Sequence, residues 1–305
     1  MLFPKSGASA YLNHRVVLGM DSAIASHLAG IKAYNDRLDD RYLFYALNLV
    51  DAREIDQESK YPSLRLTQLK ALTIPLPPIE EQKRIVAVLN AAFAKLDCAR
   101  ANVEANLADA EELRHNTIRK TLSDHAKVDA VSAKLIEVCE VYQPKTISKK
   151  QLVEDGQYEV YGANGPIGRY SQYNHDSSQV LVTCRGATCG TVNVSPPYCW
   201  ITGNAMVVRP RDNRLESEFL RLIMQYSVEY SDVITGSAQP QITRKSLGPV
   251  RIAVPRLDIQ SQVINHAAEV EEKTYTTRRL SESQLADLTA LRQSLLQRAF
   301  AGELT

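Results

Sequence analysis

The chain carries one passage twice. Pro62-Ser63-Leu64 through Arg84-Ile85-Val86 returns, 178 residues later, as Pro240-Gln241-Ile242 through Gln262-Val263-Ile264. The correspondence continues without a gap, from Leu107-Ala108-Asp109 to Leu285-Ala286-Asp287 and from Leu113-Arg114 to Leu291-Arg292. A repeat of this length admits only folds built from two related units, and two such units usually do similar work at two similar places. Upstream, Ser59 matches Ser237, Tyr42-Leu43 matches Phe219-Leu220 at an offset of 177, and Gly7-Ala8-Ser9 matches Gly186-Ala187-Thr188 at 179. Met1 then falls opposite about residue 180, so residues 126–179 of the second copy have no counterpart in the first. The first unit is expected to lack its N-terminal part, through truncation or a late start codon.

Two segments read as long helices. The first opens at Pro77-Pro78-Ile79-Glu80-Glu81-Gln82, where proline suits the first turn and the glutamates favour its positive end. Its apolar or small positions are Ile85, Leu89, Ala92, Leu96, Ala99, Val103, Leu107, Ala110, Leu113, Ile118 and Leu122, a narrow seam in steps of three and four. The second opens near Pro255-Arg256-Leu257-Asp258, runs through Val270, Leu285, Leu288, Leu291, Leu295 and Phe300, and stops at Gly302. Its seam also carries Thr274, Thr277 and Ser281. Neither stripe is buried by a lone helix, whereas pairing the two buries both. At about 1.5 Å per residue each spans roughly 60 Å.

Between the helices the pattern changes. Residues 158–161, 180–183, 191–194 and 205–208 read as short strands, punctuated by glycines at 162, 165, 168, 186, 190 and 203. Residues 216–230 read as one amphipathic helix and Ile252-Ala253-Val254-Pro255 as a final strand. The first copy echoes the second half of this α+β globule. Its helix at 40–49 matches 216–230, and Leu72-Thr73-Ile74-Pro75-Leu76 matches the last strand.

Composition excludes several classes. No apolar run approaches a membrane span and Met1-Leu2-Phe3-Pro4-Lys5 is unlike a signal peptide, so the cytoplasm is the expected compartment. Five scattered cysteines, at 98, 139, 184, 189 and 199, do not form a disulfide framework. Cys184, Cys189 and Cys199, with His175 nearby, lack paired Cys-x2-Cys spacing, so buried thiols are expected rather than zinc ligands. The net charge is +1, and residues 123–258 hold 15 Lys+Arg against 14 Asp+Glu. A nucleic-acid face must therefore come from local segregation of charge.

Gly162-Ala163-Asn164-Gly165-Pro166-Ile167-Gly168 lacks the Gly-Lys-Ser/Thr ending of a phosphate loop and reads as a turn between strands, from which Asn164 and Arg169 can project. Tyr158, Tyr161, Tyr170 and Tyr173 cluster around it and are expected mostly in the core or half-buried at its rim. Gln239, Gln241, Arg244 and Lys245 lie in an amide-rich stretch ending in two cations. Amides read adenine edges; Arg and Lys read guanine or phosphate. Lys145-Thr146-Ile147-Ser148-Lys149-Lys150 suits phosphate oxygens, and a solvated face is the equal alternative. No catalytic constellation appears: there is no paired-His helix, nucleophile elbow or Asn-Pro-Pro-Tyr-type methyltransferase signature.

The run from Leu72 through Pro75-Leu76-Pro77-Pro78-Ile79-Glu80-Glu81-Gln82 to Val86, with its weaker copy at 252–264, resembles the specificity subunits of type I restriction–modification systems. Tyr161-Gly162-Ala163-Asn164-Gly165-Pro166-Ile167-Gly168, Gly203-Asn204-Ala205 and Gly236-Ser237-Ala238-Gln239-Pro240 add to the likeness, which covers almost the whole chain. The resemblance implies an α+β chain of two target-recognition globules, the first truncated. Two long helices pair as an antiparallel coiled coil and set the spacing between the halves of a split DNA target. It further implies a non-catalytic subunit that holds adenine methyltransferase subunits, which use S-adenosylmethionine, and a motor-nuclease subunit in the restricting complex.

The expected domains are 1–79, 80–125, 126–258 and 259–305: a partial reader, a spacer helix, a complete reader and a second spacer helix. The expected contacts with double-stranded DNA are Lys145, Lys149, Lys150, Asn164, Arg169, Arg185, Gln239, Gln241, Arg244 and Lys245. No catalytic, metal or cofactor residue is expected in the chain itself. One rival expectation is a remnant that binds partners through its helices without reading DNA; a second is an enzyme with a site in the Cys184–Cys199 region, which bound zinc in the purified protein would favour.

Overall fold

The computed structural model of the chain describes residues 1–34, 36–55, 63–127, 129–236 and 239–304. Ser59, Pro62, Ser237 and Ala238 of the repeat lie outside the described residues. The chain divides into two compact units. Unit 1 joins Met1–Leu107 to Arg279–Thr305, and unit 2 is Ala108–Arg278.

Unit 1 starts with β1 (Leu2–Pro4), α1 (Ala8–Tyr11) and β2 (Leu28–Gly30), followed by α2 (Asp40–Asn48), α3 (Ala52–Ile55) and α4 (Leu66–Lys70). The long helix α5 (Ile79–His125) follows. Asp39 caps α2 by accepting from the Arg41 and Tyr42 amides, each at 2.9 Å. Tyr42, Leu43, Tyr45, Ala46 and Leu47 are the face that α2 buries. Tyr45 packs edge-on against Phe93 of α5, with ring centroids 5.5 Å apart. Phe3 and Ala29 of the strand pair are buried with Ala52, Leu64 and Leu69.

Unit 2 contains β3 (Val131–Lys134), α6 (Leu135–Val138), β4 (Cys139–Tyr142), β5 (Tyr158–Gly162), β6 (Gly165–Tyr170) and β7 (Val180–Thr183). Next come β8 (Val192–Val194), β9 (Trp200–Ile201), β10 (Ala205–Pro210), α7 (Ser217–Tyr226), α8 (Arg244–Leu247) and β11 (Arg251–Val254). The long helix α9 (Leu257–Phe300) begins here. One sheet has strand order β4-β10-β7-β8, a second β6-β5-β9, and β11 pairs with β3. α7 packs Phe219, Leu220, Ile223 and Met224 against Val180, Val182, Met206 and Val208, which forms the main core.

The sequence repeat is a structural repeat. Leu2, Phe3 and Pro4 pair antiparallel with Gly30, Ala29 and Leu28. Leu181, Val182 and Thr183 pair in the same way with Val207, Met206 and Ala205. Phe3 and Ala29 face Leu64 and Leu69, as Val182 and Met206 face Ile242 and Leu247.

Each long helix is fastened at its start by one buried glutamine. Gln82 accepts from the Asp39 amide at 2.9 Å and donates to the Arg37 and Pro77 carbonyls at 2.8 Å each. Gln260 accepts from the Glu216 amide at 2.9 Å and donates to the Arg214 and Pro255 carbonyls, both at 2.8 Å. Both side chains are fully enclosed. A primary amide has both donors and an acceptor, so it satisfies three backbone groups that burial would otherwise leave unpaired.

The two helices run antiparallel within each unit. In unit 1, Leu89 and Phe93 pack on Leu296 and Ala299, and Arg292 lies over the Phe93 ring at 4.2 Å while bonding Asp97 at 2.6 Å. In unit 2, Ile118 and Leu122 share a core with Val263 and Ala267, and Arg278 bonds Glu111. Thr274 and Ser281 are buried in the seam as expected, and the Thr274 hydroxyl donates to the Val270 carbonyl at 3.0 Å. The seam departs from its expected line at Leu113 and Leu291, which are 68% and 48% exposed. Phe93, absent from the expected seam, is buried. A straight helix of 3.6 residues per turn drifts off a fixed repeat, so distant seam positions rotate outward.

Three other expectations change. Residues 72–76 form no strand. In unit 2 the matching β11 is held by β3, whereas no described strand pairs with residues 72–76. Residues 165–170 form strand β6 rather than a turn, so the turn shrinks to Ala163-Asn164. The helix expected over 216–230 ends at Tyr226, and Tyr230–Asp232 forms a separate short turn.

His175 joins the two larger sheets of unit 2. Asn174 Oδ1 accepts the Ile201 amide at 2.8 Å and lies 2.6 Å from His175 Nδ1, so Nδ1 carries the proton. His175 Nε2 then accepts from the Tyr142 hydroxyl at 2.8 Å. Burial, reinforced by Arg209 and opposed by Asp176, holds the imidazole below its ordinary range. The unfolded chain therefore takes up a proton that the fold resists. Unit 2 is expected to keep this stability above about pH 6.5 and to lose it as pH falls from there through the folded value. A pH series of unfolding midpoints tests this, with His175→Gln expected to flatten the acid limb.

Candidate nucleic-acid interface

Three loops of unit 2 are tied into one exposed edge. Thr235 and Gln241 exchange amide-to-carbonyl bonds at 2.9 Å each, which closes the loop that carries Gln239. That loop docks on the 184–190 loop, where the Ile242 amide donates to the Cys184 carbonyl at 3.0 Å and the Gly186 amide to the Pro240 carbonyl at 3.4 Å. Arg185 and Gln241 form a β-bridge at the junction. Gly186 sits at a φ of 86°, in the left-handed region that favours glycine. The β5–β6 hairpin tip reaches the same place. Asn164 donates to Thr188 at 2.8 Å and accepts from Thr183 at 3.0 Å.

The segment with Lys145 is also drawn in. Gln143 donates to the Gly203 carbonyl at 3.3 Å and to Cys184 Sγ at 3.0 Å. A side chain at Gly203 would meet Thr146 Oγ1 at 2.5 Å, so glycine permits this close approach. Lys145, Asn164, Arg185, Gln239 and Gln241 are thus exposed on loops that share direct bonds.

The other five candidates divide. Arg244 and Lys245 are exposed in the first turn of α8, directly after the Thr243 cap. Lys149 and Lys150 are exposed on the short turn Lys149–Gln151, which precedes the bond from the Val153 amide to the Arg169 carbonyl at 2.9 Å. They are not tied to the loop cluster. Arg169 serves the fold. Its Nε donates to the Gly156 carbonyl at 2.5 Å and a terminal nitrogen to the Gln157 carbonyl at 3.0 Å. Arg169→Ala is expected to cost about 1–3 kcal/mol of unit 2 stability and to leave the salt dependence of DNA binding unchanged. Denaturation and binding isotherms of the variant check both.

The cations of unit 2 divide by pairing. Ion pairs engage Arg209, Arg214, Arg221 and Arg256. No salt bridge engages Lys145, Lys149, Lys150, Arg185, Arg244 or Lys245 among the described residues. Thr188 and Gln143, exposed in the same cluster, were not among the expected contacts; Thr188 was marked only by its place between Gly186 and Gly190 and by its match to Ser9 in the repeat. Tyr173 and Tyr198 stack edge-on at 5.5 Å and are 43% and 56% exposed. Tyr198, with a φ of 52°, was also missed. Burial pushes the Cys139 thiol up to about 12 and raises Cys189 and Cys199. No group of three or more His, Cys, Asp or Glu is placed to hold a metal ion among the described residues.

Unit 1 repeats the loop junction. The Leu64 amide donates to the Lys5 carbonyl at 2.6 Å, Ser6 bridges Ser63, and Gly7 has a φ of 74°. The family model described as the type I restriction modification DNA specificity domain matches residues 11–104 and 127–277. The chain belongs to this family. The model matches once in each copy of the repeat.

Among curated relatives, the type I restriction enzyme MjaVIII specificity subunit of Methanocaldococcus jannaschii is 20% identical over 295 residues, covering 84% of this chain and 69% of the relative. The EcoprrI specificity subunit of Escherichia coli is 25% identical over 250 residues, covering 76% of this chain and 61% of the relative. A chain solved for the assembly and conformational transition of the type I R-M system aligns over 99% of this chain and 81% of its own length. It does so at a TM-score of 0.77 and 22% identity. The HsdS subunit of Thermoanaerobacter tengcongensis aligns over the same shares at a TM-score of 0.50 and 22% identity. These structures support the α+β fold with its two long helices. No helix among the described residues is long and apolar enough to cross a membrane.

Proposed function

We propose that the chain is the DNA-reading, non-catalytic subunit of a cytoplasmic type I restriction–modification complex, with unit 2 as its reader. The observation that carries this reading is the Arg185–Gln241 junction, where bonded loops gather Lys145, Arg185, Asn164, Gln239 and Gln241 on one exposed edge. Lys145, Arg185, Arg244 and Lys245 supply phosphate or guanine contacts, while Asn164, Gln239 and Gln241 supply adenine-type contacts. Asn164 is bonded to Thr188, so it acts from a fixed position.

Binding to duplex DNA carrying the target is expected to weaken steeply with salt. Each phosphate contact removed, as in Lys145→Ala, lowers the slope of log K against log salt by about 1. Gln241→Ala is expected instead to relax sequence preference. Equal binding of target and scrambled duplexes by the intact chain would defeat the reading.

In this proposal the chain holds adenine methyltransferase subunits, which carry S-adenosylmethionine, and a motor-nuclease subunit in the restricting complex. The purified chain alone is expected to transfer no methyl group to DNA, with activity appearing on addition of the methyltransferase subunit. Methylation by the chain free of contaminating enzyme would overturn the assignment. The unbroken helices are proposed to set the spacing of the half-sites. Four residues inserted after Val103 should lengthen the spacer of sites methylated in cells, and an unchanged spacer would remove that role.

A further inference from the structure

Unit 2 holds a cavity of about 290 Å³ where the end of α5, α7 and β11 meet. Leu122, Phe219, Ile223 and Ile252 form its floor, each at most 5% exposed. Arg119, Ser123, Ser227 and Arg251 form its mouth, and all four are exposed. None of the lining residues is acidic. The cavity thus joins an apolar floor to a cationic, hydroxyl-bearing mouth.

The mouth has donors to spare. Arg251 Nε donates to the Ser132 hydroxyl at 3.0 Å and one terminal nitrogen to the Ser132 carbonyl at 2.9 Å. These bonds hold the guanidinium in place and leave its other terminal nitrogen for a ligand. No salt bridge engages Arg119 or Arg251 among the described residues. Asp124, on the last turns of α5, faces Lys127 at 3.5 Å.

The first copy of the repeat is built differently at this place. The counterparts of Phe219 and Leu122 are Tyr42 and Phe300, at offsets of 177 and 178. Their ring centroids lie 4.9 Å apart, and the Tyr42 hydroxyl donates to the Pro75 carbonyl at 3.0 Å. The counterparts of Arg119 and Arg251 are Gln297 and Thr73, so unit 1 has rings here and no cation. Unit 2 has less ring volume and two more positive charges. Neither difference stabilises a fold, because a smaller side chain packs less and like charges repel. Together they suit an anion with an apolar neighbour.

We propose that this cavity docks an acidic segment of a separate polypeptide. An aliphatic side chain of leucine size seats on the floor, and a neighbouring carboxylate bonds Arg119 and Arg251. Charge complementarity sets the sign of the partner, and the floor sets its class. A DNA phosphate would satisfy the arginines but bring nothing to bury on Leu122, Phe219, Ile223 and Ile252. The proposal goes beyond DNA reading by the loop cluster, and the two can fail independently.

The test titrates a labelled peptide, Ser-Glu-Leu-Glu-Ser with blocked ends, with the full 305-residue chain and follows fluorescence anisotropy. Saturable binding is expected. Replacing both glutamates of the peptide by glutamine, or its leucine by serine, should weaken binding by roughly tenfold or more. Arg119→Glu should abolish binding at a side chain that the fold does not use. Leu122→Phe, which copies Phe300, should fill the floor and abolish binding with both arginines still present. Trp200 fluorescence should show unit 2 folded in both variants, and their affinity for duplex DNA should match that of the parent chain. No saturable binding, equal binding of the glutamine or serine peptide, or binding retained by either folded variant would overturn the proposal. A loss of DNA affinity in Arg119→Glu would also overturn it, by assigning this cation to the nucleic-acid face.

Discussion

Gln260→Leu is expected to destabilise unit 2 by about 3–5 kcal/mol. Leucine fills nearly the same space but offers no polar atom. The Glu216 amide and the Arg214 and Pro255 carbonyls would each lose a partner where the wild-type side chain is fully enclosed. Leaving one buried polar group unpaired costs about 1–3 kcal/mol, and partial entry of water reduces the total below a simple sum. The readout is built in. Trp200 is the chain's single tryptophan and lies in unit 2, edge-on to Tyr170. Denaturation followed by its fluorescence therefore reports unit 2. Gln82→Leu should leave that transition in place and loosen unit 1. Gln260→Glu sharpens the point. A carboxylate keeps the acceptor for the Glu216 amide but faces two carbonyls with no donor. That variant should recover stability on acidification, as protonation restores one donor. A loss below about 1 kcal/mol in Gln260→Leu would show that the clasp is not what fastens the helix.

This clasp shows where sequence reading stops. Gln82 lies in the proline-rich helix entry and Gln260 178 residues later, but nothing in the sequence marked either, because their three partners are 5 to 46 residues away in the chain. The long helices were legible because apolar steps of three and four run unbroken by glycine or proline. Their exact seam was not, since Leu113 rotates outward and Phe93 inward. Strand β6 was hidden by Gly165, Pro166 and Gly168, which signal a turn. It tolerates them because β5 alone pairs with it, leaving one edge without a ladder. Of the ten candidate contacts, Asn164, Arg185, Gln239 and Gln241 came together because they flank glycine turns that the fold closes onto one another, and Lys145 joins them through the Gln143–Gly203 bond. Arg169 looked like any exposed cation until its partners proved to be the Gly156 and Gln157 carbonyls. A strand at 72–76 was inferred from the repeat, but a strand also needs a partner, and no described strand pairs with these residues.

In the chain by itself, amide exchange at residues 28–30 is expected to run at least about a hundredfold faster than at residues 206–208. These segments hold equivalent places in the repeat, so local propensity does not explain the difference. Val207 and Val208 are fully buried, and β10 has hydrogen-bonded neighbours on both sides. Gly30 is exposed, and β2 has one neighbour. Opening β10 must break two ladders and expose Val207 to water from the Ile201 side and Val208 from the α7 side. Opening β2 breaks three paired positions and uncovers chiefly Ala29. Lost burial is worth about 25 cal/mol per Å², so unit 2 holds the larger barrier at these strands. Phe3 keeps unit 1 from being featureless: it is fully buried, with the Arg15 guanidinium 3.6 Å above its ring. Its neighbours should therefore exchange more slowly than residues 17–24. Equal slow exchange at residues 28–30 and 206–208, in a chain shown to be monomeric, would mean that one ladder holds β2 as firmly as two hold β10.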